Sequence, residues 1–423
     1  MTRVLFLTES FHPVLGGGEQ HIRALASRLA AEGMATTIVT RRTDASWPEE
    51  ETVDGVRVVR VAPSGHGRTG KYRMVPGAVA ALLRERDRYD VVVVRGTRVL
   101  GLPGLLAARL LGKAVVLQAE VNGEMSGEVY TWGTALARPP WRELTGGAVA
   151  ARNALLRDAD AFVAMSRLIR DEFLAAGVPE ERVAWIPHGV DLDRFRPPAP
   201  GEREELRGRL RLPQHAVLIT YTGRLLRGKG LETLLDAFVS LSAPYPGSHL
   251  VLVGSGAGQA LGIDEELRSR AEAGSLAGRV TLTGRVDDVE DYLKASDVFV
   301  FPSTFEALGL SLLEASACGL PCVGSRTGGI VDVIEDGRSG SLVTPGRAGD
   351  LAAALAELVA SPSRRAAQGA RGRQIAEARF DFGANVGRYR ALFQEVSPRS
   401  SACSKERAPR AGAAPRRSPA PRA

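Results

Sequence analysis

Cysteine is nearly absent, with three residues in 423. Cys318 and Cys322 stand in Ala-Cys-Gly-Leu-Pro-Cys, a C-x3-C spacing and not the C-x2-C of a zinc site, with no third or fourth ligand nearby. They read as small buried thiols in a reducing compartment. Cys403 lies far downstream. Long apolar runs are missing too. The most apolar stretch, 99–111, is short and carries Arg109, so it cannot cross a bilayer. The opening Arg3-Val-Leu-Phe-Leu-Thr runs into a polar loop and reads as a strand, not a secretory leader. A cytoplasmic protein is expected, at most peripheral at the inner face of a membrane.

A charge imbalance is also missing from most of the chain. The formal net charge is +7, but residues 397–423 carry Arg399, Lys405, Arg407, Arg410, Arg416, Arg417 and Arg422 against Glu406. About +1 is left for the remainder. Such a body gives no reason to expect nucleic acid as a partner. The tail is rich in Ala, Pro, Ser and Arg, cannot build a core and is expected to be disordered. Its charge suits contact with an anionic membrane; a dispensable extension is the other reading.

What is present is a globular composition, 44% hydrophobic and 24% charged, with 47 glycines. The length suits two domains. Apolar runs at 4–8, 36–40, 56–61, 91–95, 114–118 and 162–165 alternate with amphipathic stretches at 18–32, 76–86, 102–111 and 167–176. A break follows Ile186, through Pro187-His-Gly-Val-Asp191 and the proline-rich 196–201. Strands then resume at 217–221, 250–253, 280–283, 298–301 and 321–324. Helices are expected at 231–241, 265–273, 289–294, 310–317, 350–359, 364–378 and 384–395. Continuous apolar strands between helices predict an α/β fold of two doubly wound Rossmann-like domains, with ligands at the carboxyl ends of strands. The boundaries read 1–187 for the first domain, 188–212 for a hinge, 213–380 for the second domain, 381–396 for a closing helix and 397–423 for the basic tail.

Several motifs fall at strand ends. Phe301-Pro-Ser-Thr-Phe-Glu306-Ala-Leu-Gly-Leu-Ser-Leu-Leu-Glu314 places two carboxylates across a strand-to-helix junction. The amides near Leu308, Gly309 and Leu310 form an anion seat at that helix start. Taken alone, the pair also reads as a solvated loop Glu and an ordinary helix Glu. Thr222-Gly-Arg224-Leu-Leu-Arg-Gly-Lys229-Gly230 satisfies G-x4-G-K, but a P-loop needs Ser or Thr after the lysine. Gly16-Gly17-Gly18-Glu19 opens a helix after the first strand. It is not G-x-G-x-x-G, and Arg41-Arg42 replaces the acidic residue that NAD would require. Gly254-Ser-Gly256 is read as a turn, and Asp287 as the cap of the following helix. The basic loop 68–73 suits a phosphorylated acceptor, anionic lipid or plain solvent.

Together these motifs resemble the retaining GT-B glycosyltransferases of the E-x7-E type, the glycosyltransferase family 4-like "glycosyl transferases group 1", over roughly residues 1–396. The resemblance implies a GT-B fold, its two domains facing across a cleft, and a nucleoside-diphosphate sugar as donor with an unknown acceptor. No cofactor and no metal are implied. Arg224 and Lys229 would clamp the diphosphate, helped by amides near Leu308, Gly309 and Leu310. Glu306 would contact the sugar, Glu314 the ribose and Val286 the base. Gly17 and Gly18 would face the donor across the cleft. Many members carry a His after the strand at 114–118; this chain has Glu120 there, with Asn122 and Glu124 as alternatives. Pro187-His188-Gly-Val-Asp matches the family's hinge segment. The expected activity is transfer of a hexose to a hydroxyl in polysaccharide, glycolipid or small-glycoconjugate synthesis. A non-hydrolysing sugar-nucleotide 2-epimerase and an inactive sugar-nucleotide-binding homologue are the alternatives.

Overall fold

In a computed structural model, residues 2–14, 16–65, 69–128, 141–259 and 261–397 are described. Arg68, Cys403 and the tail after residue 397 lie outside them.

Two sheets organise the chain. The first contains Val4–Leu7 (β1), Thr36–Arg41 (β2), Glu50–Val53 (β3), Val56–Val61 (β4), Val91–Arg95 (β5), Ala114–Gln118 (β6), Ala161–Ala164 (β7) and Val183–Trp185 (β8). Their order is β3-β4-β2-β1-β5-β6-β7-β8. All pairings are parallel except β3 with β4. The second contains Val217–Thr222 (β9), Ser248–Val253 (β10), Val280–Gly284 (β11), Val298–Phe301 (β12), Cys322–Ser325 (β13) and Gly340–Val343 (β14). Its order is β11-β10-β9-β12-β13-β14, parallel throughout. In each sheet the order reverses beside the first strand of that half, β1 or β9, where a doubly wound sheet opens a crevice at its carboxyl edge.

The first core lies on both faces of its sheet. Leu5, Leu7, Val92 and Val94 point to one side and Val4, Phe6, Val91 and Val93 to the other. That second side is covered by the helices Gly17–Ala31 and Phe382–Val396. Val386, Tyr389 and Phe393 of the last helix are fully buried there, and Phe393 meets Phe6 edge-on at 6.0 Å. Each such aromatic contributes about 1.5–3 kcal/mol of burial. Asp381 accepts from the Ala384 amide to cap this helix.

Several elements differ from the sequence expectation. The hairpin β3–β4 turns on Asp54 (φ 48°) and Gly55 (φ 79°), the two positive φ values of a type I′ turn. Its polar, half-exposed first strand hides the pattern. A helix, Glu202–Arg209, occupies part of the segment read as hinge. Its residues are charged, but Arg207 is buried and donates to Ala295, Gln214 and Ala216 carbonyls and to Asp297. The helix Trp141–Leu156 was obscured by Gly146-Gly147, and β8 and β14 are short edge strands.

Candidate active site

Strand β12 ends at Phe301, and the helix Leu310–Ala317 begins nine residues later. Gly309 precedes it with φ +94°; a Cβ there would lie 2.8 Å from the Phe301 ring. The amides of Leu312 and Leu313 already bond to the Gly309 carbonyl. Those of Leu310 and Ser311 precede the first intrahelical bond and are free to receive an anion. Leu308 is buried, so only its backbone can take part. Glu306 lies on the loop, and its Oε2 is 2.6 Å from Lys229 Nζ.

Lys229 comes from the loop after β9. Gly230 has φ +73° and starts the helix Leu231–Ser242. A Cβ on it would lie 2.0 Å from the Pro302 carbonyl oxygen. The position is closed to Ser or Thr, which removes the P-loop reading on steric grounds. Arg224 is exposed and donates from Nη1 to Gln259 Oε1 at 3.5 Å. The Gly254 turn is tied down by Asp264, which accepts from Ser255 Oγ and the Gly256 amide. It packs so tightly on Gly223 that a Cβ would lie 1.9 Å from that carbonyl oxygen.

Glu314 is the fifth residue of the helix Leu310–Ala317 and is half-buried. Burial pushes its carboxyl up to about 7, against the pull of nearby Arg194. No hydrogen bond reaches its carboxylate from the described residues. Arg194 is held by Glu290 at 2.8 Å and by the Asp287 carbonyl at 3.1 Å. The Asp287 carboxylate is not the helix cap: Asp288 holds the cap position, and neither side chain bonds the helix amides. Val286 half-buries itself against the cluster that contains Leu218 and Val251.

The first half supplies the opposite wall. The helix Gly17–Ala31 starts at Gly17, and a Cβ there would lie 3.1 Å from Leu310 of the second half. A Cβ on Gly18 would lie 3.4 Å from Arg95 Nη2. Arg95 closes β5 with a side chain 2% exposed, and its Nη2 is 2.9 Å from Glu120 Oε1. Glu120 is 34% exposed. Burial raises its pKa, with Arg95 opposing.

The loop carrying Glu120 is clamped by two carboxylates. Glu124 turns inward and accepts from Thr97 and from the Glu120 and Val121 amides. Glu172 accepts from the Gly123, Met125 and Ser126 amides. Glu124 therefore cannot serve as the cleft carboxylate. Asn122 donates instead to the Glu306 carbonyl at 3.3 Å, joining the two halves. Gly328, at φ +50°, lets the chain pass: a Cβ there would strike that same carbonyl. A second junction links the Arg167 amide to Asp332 at 2.7 Å.

His21 and His188 stack at 4.0 Å in a buried site beside Tyr389 and Phe382. Burial pushes His188 down to about 3, with Arg95 adding to the effect, and holds His21 low as well. Both are neutral packing groups. Cys318 and Cys322 are buried free thiols. Residues 70–73 of the basic loop form one helical turn. Among the described residues no group of three or more His, Cys, Asp or Glu could hold a metal, and no helix is long and apolar enough to cross a membrane. Sequence reasoning overlooked Arg95; the signal was a lone cation ending an otherwise all-valine strand.

Two parallel α/β sheets, with strand ends and glycine turns converging from both halves, define the GT-B class of glycosyltransferase folds. Sucrose-phosphate synthase of Thermosynechococcus elongatus shares the fold, at TM-score 0.79 and 25% identity, covering 94% of this chain and 99% of that one. WaaG, a glycosyltransferase involved in lipopolysaccharide biosynthesis, gives 0.71 at 20% identity, covering 93% and 100%. Residues 202–375 match glycosyl transferases group 1, and residues 15–194 match Glycosyltransferase Family 4. A GDP-mannose-dependent alpha-(1-6)-phosphatidylinositol monomannoside mannosyltransferase of Mycobacterium tuberculosis is 32% identical over 90% of this chain and 95% of its own. D-inositol 3-phosphate glycosyltransferase 2 of Catenulispora acidiphila is 30% identical over 89% and 86%. The chain belongs to the glycosyl transferases group 1 family.

Proposed function

We propose that the protein transfers a hexose, with retention of anomeric configuration, from a nucleoside-diphosphate sugar to a hydroxyl acceptor. The observation that carries this reading is the Lys229–Glu306 pair at 2.6 Å, beside the start of the helix that carries Glu314 about one turn in from Leu310. Lys229, Arg224 and the amides near Gly309 and Leu310 neutralise charge building on the departing diphosphate. Glu314 accepts from the ribose hydroxyls, Val286 borders the base, and Glu306 orients the sugar. Gly17 and Gly18 admit the donor from the other wall, where Glu120 faces the sugar. In the step, the bond from C1 to the diphosphate oxygen breaks while the acceptor oxygen bonds to C1 on the same face. The acceptor proton passes to the leaving phosphate oxygen. Contact between the two walls, through Asn122 and Asp332, excludes water from the donor.

The relatives named GDP-mannose-dependent make GDP the first nucleotide to try. Calorimetric titration with GDP, UDP and ADP, in EDTA, tests the site. Saturable binding of one nucleotide is expected; no binding of any would overturn the assignment of Arg224, Lys229 and Glu314. The basic segment after residue 397 supports peripheral contact with anionic lipid from the cytoplasmic side. A chain ending at Val396 should then lose cosedimentation with anionic vesicles, and unchanged partition would remove that role.

A further inference from the structure

We propose that Glu120, held by Arg95, is a specificity determinant that restricts the donor to sugars without a carboxylate and excludes uronate donors. The inference rests on the donor site proposed above. Four observations carry it. Glu120 lies on the loop whose Asn122 bonds the Glu306 carbonyl, two residues from the point where that loop meets the second half. Gly18, which admits the donor, abuts Arg95, and Arg95 abuts Glu120. The pair is asymmetric: the cation is sealed behind at 2% exposure, and the carboxylate stands in front at 34%. A ligand therefore meets the acid and not the base. Finally, Arg95 is buried at the end of β5, with its Nη2 3.4 Å from where a Cβ on Gly18 would stand.

The surrounding charges point the same way. Glu9, Glu19 and Glu124 all add negative potential at Glu120. On the facing wall, Lys229 is held by Glu306 and directed at the diphosphate. A sugar hydroxyl can donate to Glu120, whereas a second carboxylate would meet an acid whose own cation is sealed behind it. Specificity of this kind works by repulsion of the wrong donor as much as by attraction of the right one. Arg95 is a positioning residue: it fixes where the Glu120 carboxylate stands and never touches the donor.

The test needs no acceptor. Calorimetry would compare GDP-mannose with GDP-mannuronate and UDP-glucose with UDP-glucuronate, each beside its free nucleoside diphosphate. The wild type should bind the hexose donor of its preferred nucleotide at least tenfold more tightly than the matching uronate. Glu120→Gln should reduce that ratio to threefold or less while leaving the affinity for the free nucleotide unchanged, a separation that general misfolding would not produce. Should Glu120→Gln fail to fold because it strands the Arg95 charge, the double variant Arg95→Met with Glu120→Gln removes both charges and should show the same collapse. Equal binding of hexose and uronate by the wild type, or a ratio that survives either variant, overturns the inference while the nucleotide site stands. Absence of nucleotide binding overturns the donor site, and the inference with it.

Discussion

The two walls of the cleft each present a carboxylate paired with a cation, and the pairs are built in opposite ways. In the second half, Lys229 and Glu306 are 21% and 19% exposed, so both groups can reach a ligand. In the first half, Arg95 is sealed and only Glu120 is open. A cation at the end of a loop can follow a charge that moves during reaction; one at the end of a buried strand can only hold its partner still. On the proposed assignment the second wall would serve chemistry at the diphosphate, and the first would recognise the sugar.

The largest expected effect comes from breaking the pair in which both groups are open. Lys229→Ala should lower turnover by about 10²–10³, typical of one lost transition-state contact. Wild-type turnover in a steady-state assay would end its role at the diphosphate. The loop that carries Lys229 is tested by Gly230→Ala. Left-handed φ costs about 1–3 kcal/mol, and the clash with the Pro302 carbonyl adds overpacking of about 1–3 kcal/mol. Gly55→Ala, at a similar φ with nothing within 4 Å, should show the strain alone. Equal midpoints for the two variants in urea melts would mean that the close approach at Gly230 relaxes freely.

Glu314→Ala should weaken nucleotide binding by about 1–3 kcal/mol, the value of hydrogen bonds to a charged group. The same residue sets a pH dependence. In the proposed site a ribose hydroxyl would donate to the ionised carboxylate, whose pKa is raised from 4.5 to about 7. Nucleotide affinity should be full above about 7 and fall as pH drops through it. Fold stability runs in the opposite sense, since a carboxyl raised above its unfolded value favours the fold when protonated. Calorimetry at pH 6 and pH 8 should therefore differ for the wild type and agree for Glu314→Gln. The smallest effect belongs to the bridge between the walls. Asn122→Ala removes one hydrogen bond, worth about 0.5–1.5 kcal/mol. It should slow turnover severalfold with nucleotide affinity intact; a matching loss of affinity would show that the walls do not act separately.

The alternation of strands and helices was legible because parallel strands buried on both faces are written as runs of Val, Leu and Ile. The residues at strand ends were legible for the same reason: a charged or glycine-rich segment directly after such a run has few places to go. Glu306, Lys229 and Gly309 were found this way, and the structure brings them together. What was not legible depended on tertiary partners. Arg95 looks like an ordinary end of a strand until Glu120 arrives from the neighbouring one. The helix Glu202–Arg209 looks like a polar linker until Asp297 and three carbonyls bury Arg207. The Asp287 cap was a sound local rule defeated by a chain that turns one residue later, at Asp288.

The last helix, Phe382–Val396, lies over the first sheet, next to Phe6 near the start of the chain. During synthesis the last strand of the first sheet emerges nearly two hundred residues before this cover exists. Its sheet must wait with Phe6 and Val93 short of their final partners, and a nascent chain with such an unfinished apolar face is prone to misassociation. The order in which this protein is made and the order in which its core is completed are therefore reversed at one point: the earliest sheet is the last to close.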